Sequence, residues 1–557
     1  MTAADDGGAA ARGASRRSEA DAPRADVLVI GAGASGSIVA HHLATNGFSV
    51  TCLEQGGWVN NAEYPGDKAA YELLASQRFH HDPNVRRWPA DYPVEVSDAD
   101  IHPQMFAGVG GSTLHFGGQW PRLFPSDFRV RSLDGVADDW PISYWDLLPY
   151  YERTDAALGI AGLAGDPAYP AGAPYPLPAH PINAYGRRAA MGLNQLGWHW
   201  WPAPNAIASR DWGNLVRCAR YGTCETGCPN GSKASLDLTH WPAAIGAGVK
   251  LVTGARVRAI EVDGRGRATG AVYIDRDGVE RRAEADVVVV AANGVGTPRL
   301  LLLSASSRFP DGLANSSGLV GRRLMLHPTG MVIGVYGEEM EAWKGPAGQT
   351  IHSFEFYETD EARGFIRGGK WQLMPGAGVL RLAIEPDGAS FDDTWGALMQ
   401  RRVRDAVGRT CDWSVVTEDL PDPANTITLD PTLTDSDGIP APKVTYTVAD
   451  NNWKLLDFHL ARQVEAHEAA GAVATEVIRI WPDQPGHLLG TARMGTDPVT
   501  SVCDPFGRTH DVPNVFVVDG SLFVTSGGVN PTSTICALAL RTAEHLVATA
   551  GRQQVPA

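Results

Sequence analysis

No stretch of about 18 consecutive apolar residues occurs in the 557-residue chain, so the sequence offers no transmembrane helix. Cysteine is scarce: seven residues, an odd number spread along the chain, do not make a disulfide framework. Positive charge is in deficit, with 47 Lys and Arg against 63 Asp and Glu and a formal charge of −16. Nucleic-acid affinity comes from clustered Lys and Arg on phosphates, so a nucleic-acid partner is disfavoured and a neutral or cationic small substrate fits better. There is no internal repeat, and the 62 glycines and 38 prolines are scattered as turns and close backbone approaches. What remains, 44% hydrophobic and 20% charged residues, is the composition of a globular protein with room for two domains or one with a large insertion.

Residues 1–24 are polar, rich in Ala and Gly, and are expected to be a disordered tail. Arg16-Arg17 has the form of a twin-arginine export signal, but the next apolar stretch is Val27 to Ile30, already the first strand of the fold. The expectation is a cytoplasmic protein without a membrane partner; oligomeric state is left open.

Val27-Leu28-Val29-Ile30 is a continuous apolar run, as a parallel strand buried on both faces requires. Gly31, Gly33 and Gly36 follow at G-x-G-x-x-G spacing. A helix is predicted from Ser35 to Asn46, with Gly47 as its stop, and Phe48 to Leu53 reads as a second strand that ends at Glu54. In such a unit the first glycine makes the tight turn, the second admits a pyrophosphate, and the third packs helix on strand. The pyrophosphate sits at the positive helix end, and Glu54 is placed to accept from an adenosine ribose. A lone glycine motif is weak; strand, turn, helix, strand and acid together point to dinucleotide binding, with FAD or NAD undecided by this unit.

Four further segments follow: GVGGSTLHFGGQWPRL (Gly108 to Leu123), VVVVAANGVGTPRLLLLS (Val287 to Ser304), GHLLGTARMGTDPVTSVCDPFGRTHDVPNVFVVDGS (Gly486 to Ser521) and GGVNPTSTICALALRTAEHL (Gly527 to Leu546). In order and approximate spacing they resemble the glucose–methanol–choline oxidoreductases over nearly the whole chain. The resemblance implies FAD as cofactor and a mixed α/β fold: a discontinuous Rossmann-like FAD domain interrupted by a substrate domain with an antiparallel sheet and helices. Residues 25–60, 100–125, 225–330 and 475–550 are assigned to the FAD domain. Residues 61–99, 126–224 and 331–474, including the Trp343-Lys344-Gly345 turn, are assigned to the substrate domain and its insertions. Within the family, the His487 and Asn530 pair and the Gly-Gly-Ser-Thr-Leu-His run resemble pyranose oxidases. The CETGCPNGSK stretch is similar to bacterial sugar-oxidising relatives, among them glycoside 3-oxidases and gluconate- or fructose-type dehydrogenases. Choline-type members usually carry a second histidine where Asn530 stands here.

Oxidising an alcohol requires a base for the hydroxyl proton and an acceptor for the carbon-bound hydride; FAD is the acceptor, so the chain must supply the base. By motif that base is His487, whose imidazole titrates in the suitable range; the plain alternative is a core histidine bonded to a carbonyl. Asn530 is expected to orient the substrate hydroxyl and to donate to the flavin or the reacting oxygen, against the plain alternative of a helix cap. The helix after it, beginning at Pro531 and Thr532, aims its positive end at the flavin. By resemblance Gly110, Gly111 and Ser112 belong to the flavin loop, Val257 meets adenine, and Asp519 and Gly520 contact the ribityl–pyrophosphate region. His115 matches the histidine that carries FAD covalently in pyranose oxidases; because Leu114 and Phe116 differ, a covalent link is not favoured.

Cys218, Cys224 and Cys228, at C-x5-C-x3-C spacing, resemble the ligands of a 3Fe–4S cluster in membrane-linked sugar dehydrogenases. A disulfide or free buried thiols are favoured, and no metal is assigned. The Trp198-His199-Trp200-Trp201 run is read as packing in preference to a sugar platform. The preferred activity is FAD-dependent oxidation of a secondary hydroxyl, at C2 or C3 of a glucose-like ring, to a keto-sugar with O2 reduced to H2O2. The alternatives are a dehydrogenase passing electrons to a quinone, dye or iron–sulfur relay, a flavin-containing lyase and, last, a non-catalytic flavin-binding protein.

Overall fold

The computed structural model describes residues 24–347, 350–376, 378–384, 395–483 and 486–553; the expected tail, apart from Arg24, lies outside the described residues. β1 (Ala25–Ile30), α1 (Ala34–Thr45) and β2 (Val50–Glu54) form the strand–turn–helix–strand unit. The helix spans one residue earlier at each end than the sequence suggested, ordinary fraying. β1 pairs in parallel with β2 on one side and with β3 (Glu280–Val290) on the other, Val27 facing Val50 and Val29 facing Val289. Parallel strands Lys250–Thr253 and Val515–Val517 extend this layer beyond β2 and β3. Val27 to Val29 and Val288 to Val290 are all at most 1% exposed, which explains their unbroken apolar sequence.

β3 changes partner along its length. Its charged first half, Glu280 to Glu284, pairs antiparallel with Ala268–Ile274, which in turn pairs with Arg256–Val262. Its apolar second half enters the parallel layer. α2 (Asn293–Leu303) leaves directly from the end of that half.

A second sheet is wholly antiparallel. Its order is Ala472–Ile478, β4 (Thr329–Tyr336), β6 (Thr410–Thr417), β5 (Gly369–Pro375), Ile351–Ser353 and Trp201–Pro202. Two of the boundaries drawn from sequence, after 330 and after 474, fall inside strands of this sheet, so the division is better placed before Thr329 and after Ile478. The Trp343-Lys344-Gly345 turn joins no strand; Gly345 N–H donates to the Arg220 carbonyl at 3.0 Å. Trp198, partly buried, packs edge-on against Phe356 and Trp371 at the margin of the core. No helix among the described residues is long and apolar enough to cross a membrane.

Candidate active site

Where the two sheets meet, a deep cavity offers about 290 Å³ to the centres of water molecules. One end is built by the turn after β1. Gly31 has φ 106°, and a Cβ there would lie 2.4 Å from the Ala291 carbonyl oxygen. Gly36 presses α1 onto the turn, where a Cβ would lie 2.0 Å from the Gly31 oxygen. Gly33 faces the loop of Gly110 and Gly111; a Cβ on Gly111 would reach Gly33 Cα at 2.7 Å, so only glycine leaves a slot between them. Gly31, Gly33, Gly111, Ser112 and His115 line the cavity, whereas Gly36 and Gly110 pack behind it. Glu54, 6% exposed, accepts from the backbone N–H of Ala32 and of Gly56, both at 2.8 Å, and burial raises its carboxyl pKa against those donors. Val257 lies farther along the wall. Asp519 accepts from Ser521 N–H and Oγ and from Thr297 Oγ1 and Asn293 N–H, fixing Gly520 and the start of α2 beside the cavity.

His487 and Asn530 line the same space, together with Pro531 and Thr532 at the start of α3 (Thr532–Gln553). His487 Nδ1 lies 2.9 Å from His327 Nδ1, so one proton is shared between the two rings. His327 is fully buried and held in the left-handed region at φ 56°. Burial draws the His327 pKa down to about 4, against an opposing pull from the Gly527 and Ser526 backbone. The His487 pKa is lowered well below its ordinary value by burial first, then by His327 and Lys370. With the shared proton on His487 Nδ1, its Nε2 keeps a lone pair for the cavity.

The two family models described as GMC oxidoreductase match residues 180–329 and 421–539, and a NAD(P)-binding Rossmann-like domain model matches residues 29–91. The 2-methyl-1,2-propanediol dehydrogenase of Mycolicibacterium austroafricanum is 43% identical over 94% of this chain and 95% of its own length. The chain belongs to the GMC oxidoreductase family. The fructose dehydrogenase large subunit of Gluconobacter japonicus is 32% identical over 94% of this chain and 98% of its own length, and the 6'''-hydroxyparomomycin C oxidase of Streptomyces lividus 31% over 94% and 92%.

This GMC oxidoreductase uses FAD and acts on CH–OH groups. The cavity fits the cofactor: its walls carry the glycine slot and buried polar atoms that, among the described residues, no protein group pairs with. Both ring nitrogens of His115, Gln104 Oε1 and Gln372 Oε1 are such atoms, and all three residues line the cavity. His115 packs against Phe106 and His81, with ring centroids at 4.5 and 5.1 Å.

Three residues that line the cavity escaped the sequence reading, Gln372, Gln104 and His81, and so did two that stand behind it, His327 on His487 and Lys370 on Asn530. Lys370, on β5, has no exposed surface and donates from Nζ to Asn530 Oδ1. Gln372 follows it two positions along the same strand, on the cavity side. Cys218, Cys224 and Cys228 are free thiols gathered in one loop. Burial pushes the Cys224 thiol up to about 12, and the other two sulfurs add to that shift. Lys233 ties this loop to the His115 segment, donating to the carbonyls of Cys224, Leu114 and Phe116.

Proposed function

We propose that this enzyme oxidises a carbinol of a small, neutral vicinal diol or sugar-like polyol, with His487 as the base and Asn530 as the hydrogen-bond donor to the reacting oxygen. The observation that carries the reading is the placement of His487 and Asn530 on one cavity beside the unpaired acceptors Gln104 Oε1 and Gln372 Oε1. Buried amide oxygens without partners call for hydroxyl donors, which a polyol brings in numbers. Bound FAD supplies the acceptor for the carbon-bound hydrogen and its electron pair. His487 Nε2 takes the hydroxyl proton, His327 holds the ring's tautomer through Nδ1, and the Asn530 amide stabilises charge that builds on the oxygen as the proton leaves. The name of the 43% identical relative supports a diol: its substrate has one carbinol bearing a C–H, the other being tertiary. Names of the other two relatives support sugar-like substrates, among which the secondary hydroxyl of a glucose-like ring is the finer expectation.

The test is anaerobic mixing of the FAD enzyme with 1,2-diols, sugars and glycosides, followed by assignment of the product carbonyl by NMR. Bleaching of the flavin band by a diol or sugar is the expected result; a band untouched by the whole set would sink the reading.

A second reading concerns the exit of electrons. O2 is the acceptor favoured from sequence, and the word oxidase in one relative's name supports it. The word dehydrogenase in the names of the other two relatives favours instead a different acceptor, a quinone, dye or iron–sulfur relay. Peroxide yield against dye reduction separates the two, and iron at about three atoms per chain would bring the cysteines in.

A further inference from the structure

We infer that Lys370 is a positioning residue of the oxidation step, holding the Asn530 carboxamide so that its NH2 group faces the substrate hydroxyl. The inference rests on the proposed meeting of His487 and Asn530 with the alcohol. Two bonds join the strand of Lys370 to the segment of Asn530: Lys370 N–H donates to the Gly528 carbonyl at 2.9 Å, and Nζ donates to Asn530 Oδ1. The approach is close, since a Cβ on Gly528 would lie 3.0 Å from both the Gly368 oxygen and Gly369 Cα. Among the described residues no carboxylate pairs with Nζ, and burial alone holds the amine's pKa well below its ordinary value.

An uncompensated buried amine is expensive, and a methionine of similar shape would pack the same space without that cost. What the amine does that methionine cannot is choose one face of an amide. Nζ donates to Oδ1, so the carboxamide turns its oxygen toward the lysine and its NH2 group away from it. Asn530 is thereby left with its two N–H donors for the cavity that it lines. Those donors meet the oxygen as it becomes negative, and the amine behind them strengthens the amide dipole. The same arrangement disfavours a cationic substrate, contrary to the allowance made from net charge.

The experiment is a double-mutant cycle on the FAD-bound enzyme with two readouts. Acetate, a carboxylate standing in for the developing alkoxide, is titrated while the flavin band is followed, and reduction by substrate is timed by stopped flow. Lys370→Met is expected to weaken acetate binding at least about tenfold and to slow reduction about 10²-fold, the size of a lost oxyanion donor. Lys370→Gln, which keeps a neutral donor, should recover most of both. In an Asn530→Ala background, Lys370→Met should change neither by more than about twofold, because residues acting as one unit are not additive. Equal losses in both backgrounds, intact acetate binding and reduction in Lys370→Met, or a wild type blind to acetate would overturn the inference. So would failure of both Lys370 variants to hold FAD, which would make Lys370 part of the cofactor cradle. If no alcohol reduces the enzyme, the acetate cycle still reports the Lys370–Asn530 coupling, so the two readings fail separately.

Discussion

A histidine with Nδ1 engaged can act only through Nε2, and this narrows what removing His487 can do. His487→Ala should retain FAD and lose about 10²–10⁴-fold in the rate of reduction by substrate, the range of a missing general base. Stopped-flow reduction checks it; a rate within about threefold of wild type would take the base role away. Because burial, His327 and Lys370 all lower the His487 pKa, the ring is unprotonated at neutral pH. The reduction rate should therefore be level above pH 6.5 and fall only at acid pH, below the depressed value. A rate still rising between pH 7 and 9 would point to another base. That His487 and Asn530 share one cavity was legible because each sits in a motif. His327 was not, since nothing in its segment announces a partner 160 positions away. Lys370 and Gln372 were hidden by ordinary strand alternation: polar positions opposite Trp371 and Leu373 read as solvent-facing, yet both are buried, Gln372 on the cavity and Lys370 against Asn530.

The loop that delivers Asn530 is anchored by one buried cation. Arg367, 1% exposed, pairs with Asp127 and Glu358 and lies 3.9 Å from Glu418. Glu418 Oε1 accepts from Gly527 N–H, and the Tyr357 hydroxyl donates to Asp127 while accepting from Gly528 N–H. Arg367→Met leaves Asp127 and Glu418 buried without their cation, so urea unfolding should register a loss of about 3–5 kcal/mol. A loss under about 1 kcal/mol, the value of an exposed pair, would show that the cluster is solvated. Gly527→Ala should be as disruptive to the loop, because Gly527 has φ 65° and its Cβ would meet Leu123 Cδ2. At this scale β1, α1 and β2 were legible to within two residues, each marked by its apolar run or its glycines. β4 and β6 were not: both are buried on nearly every residue, and a strand covered on both faces has no alternation to reveal its register. The two pairings of β3 left a trace in ERRAEADVVVV, charged then apolar, which marks where its environment changes.

Across the whole molecule, His81, His240, His327 and His467 are held at about 4, and His459 at about 3, mainly by burial. Their ordinary value is 6.5, so below that pH the unfolded chain binds more protons than the folded one. The stability they contribute is complete above pH 6.5 and drains away as pH falls toward 4. Thermal melts should therefore be level from pH 7 to 8 and drop steadily below 6.5, while an unchanged melting temperature at pH 4.5 would show those rings to be solvated. The parallel layer also carries a consequence for how the enzyme is made. β2 ends at residue 54, whereas α3 starts at residue 532, 478 positions later (532 − 54). At about 5–20 residues per second, a ribosome needs roughly 24–96 s to cross that interval. Until then α1 of the nascent β1–α1–β2 unit lacks α3 against it, and the cavity lacks the wall that carries His487, Asn530 and Thr532. Slower synthesis prolongs that interval, so the yield of yellow, loaded enzyme should track chaperone supply during expression as much as the supply of flavin.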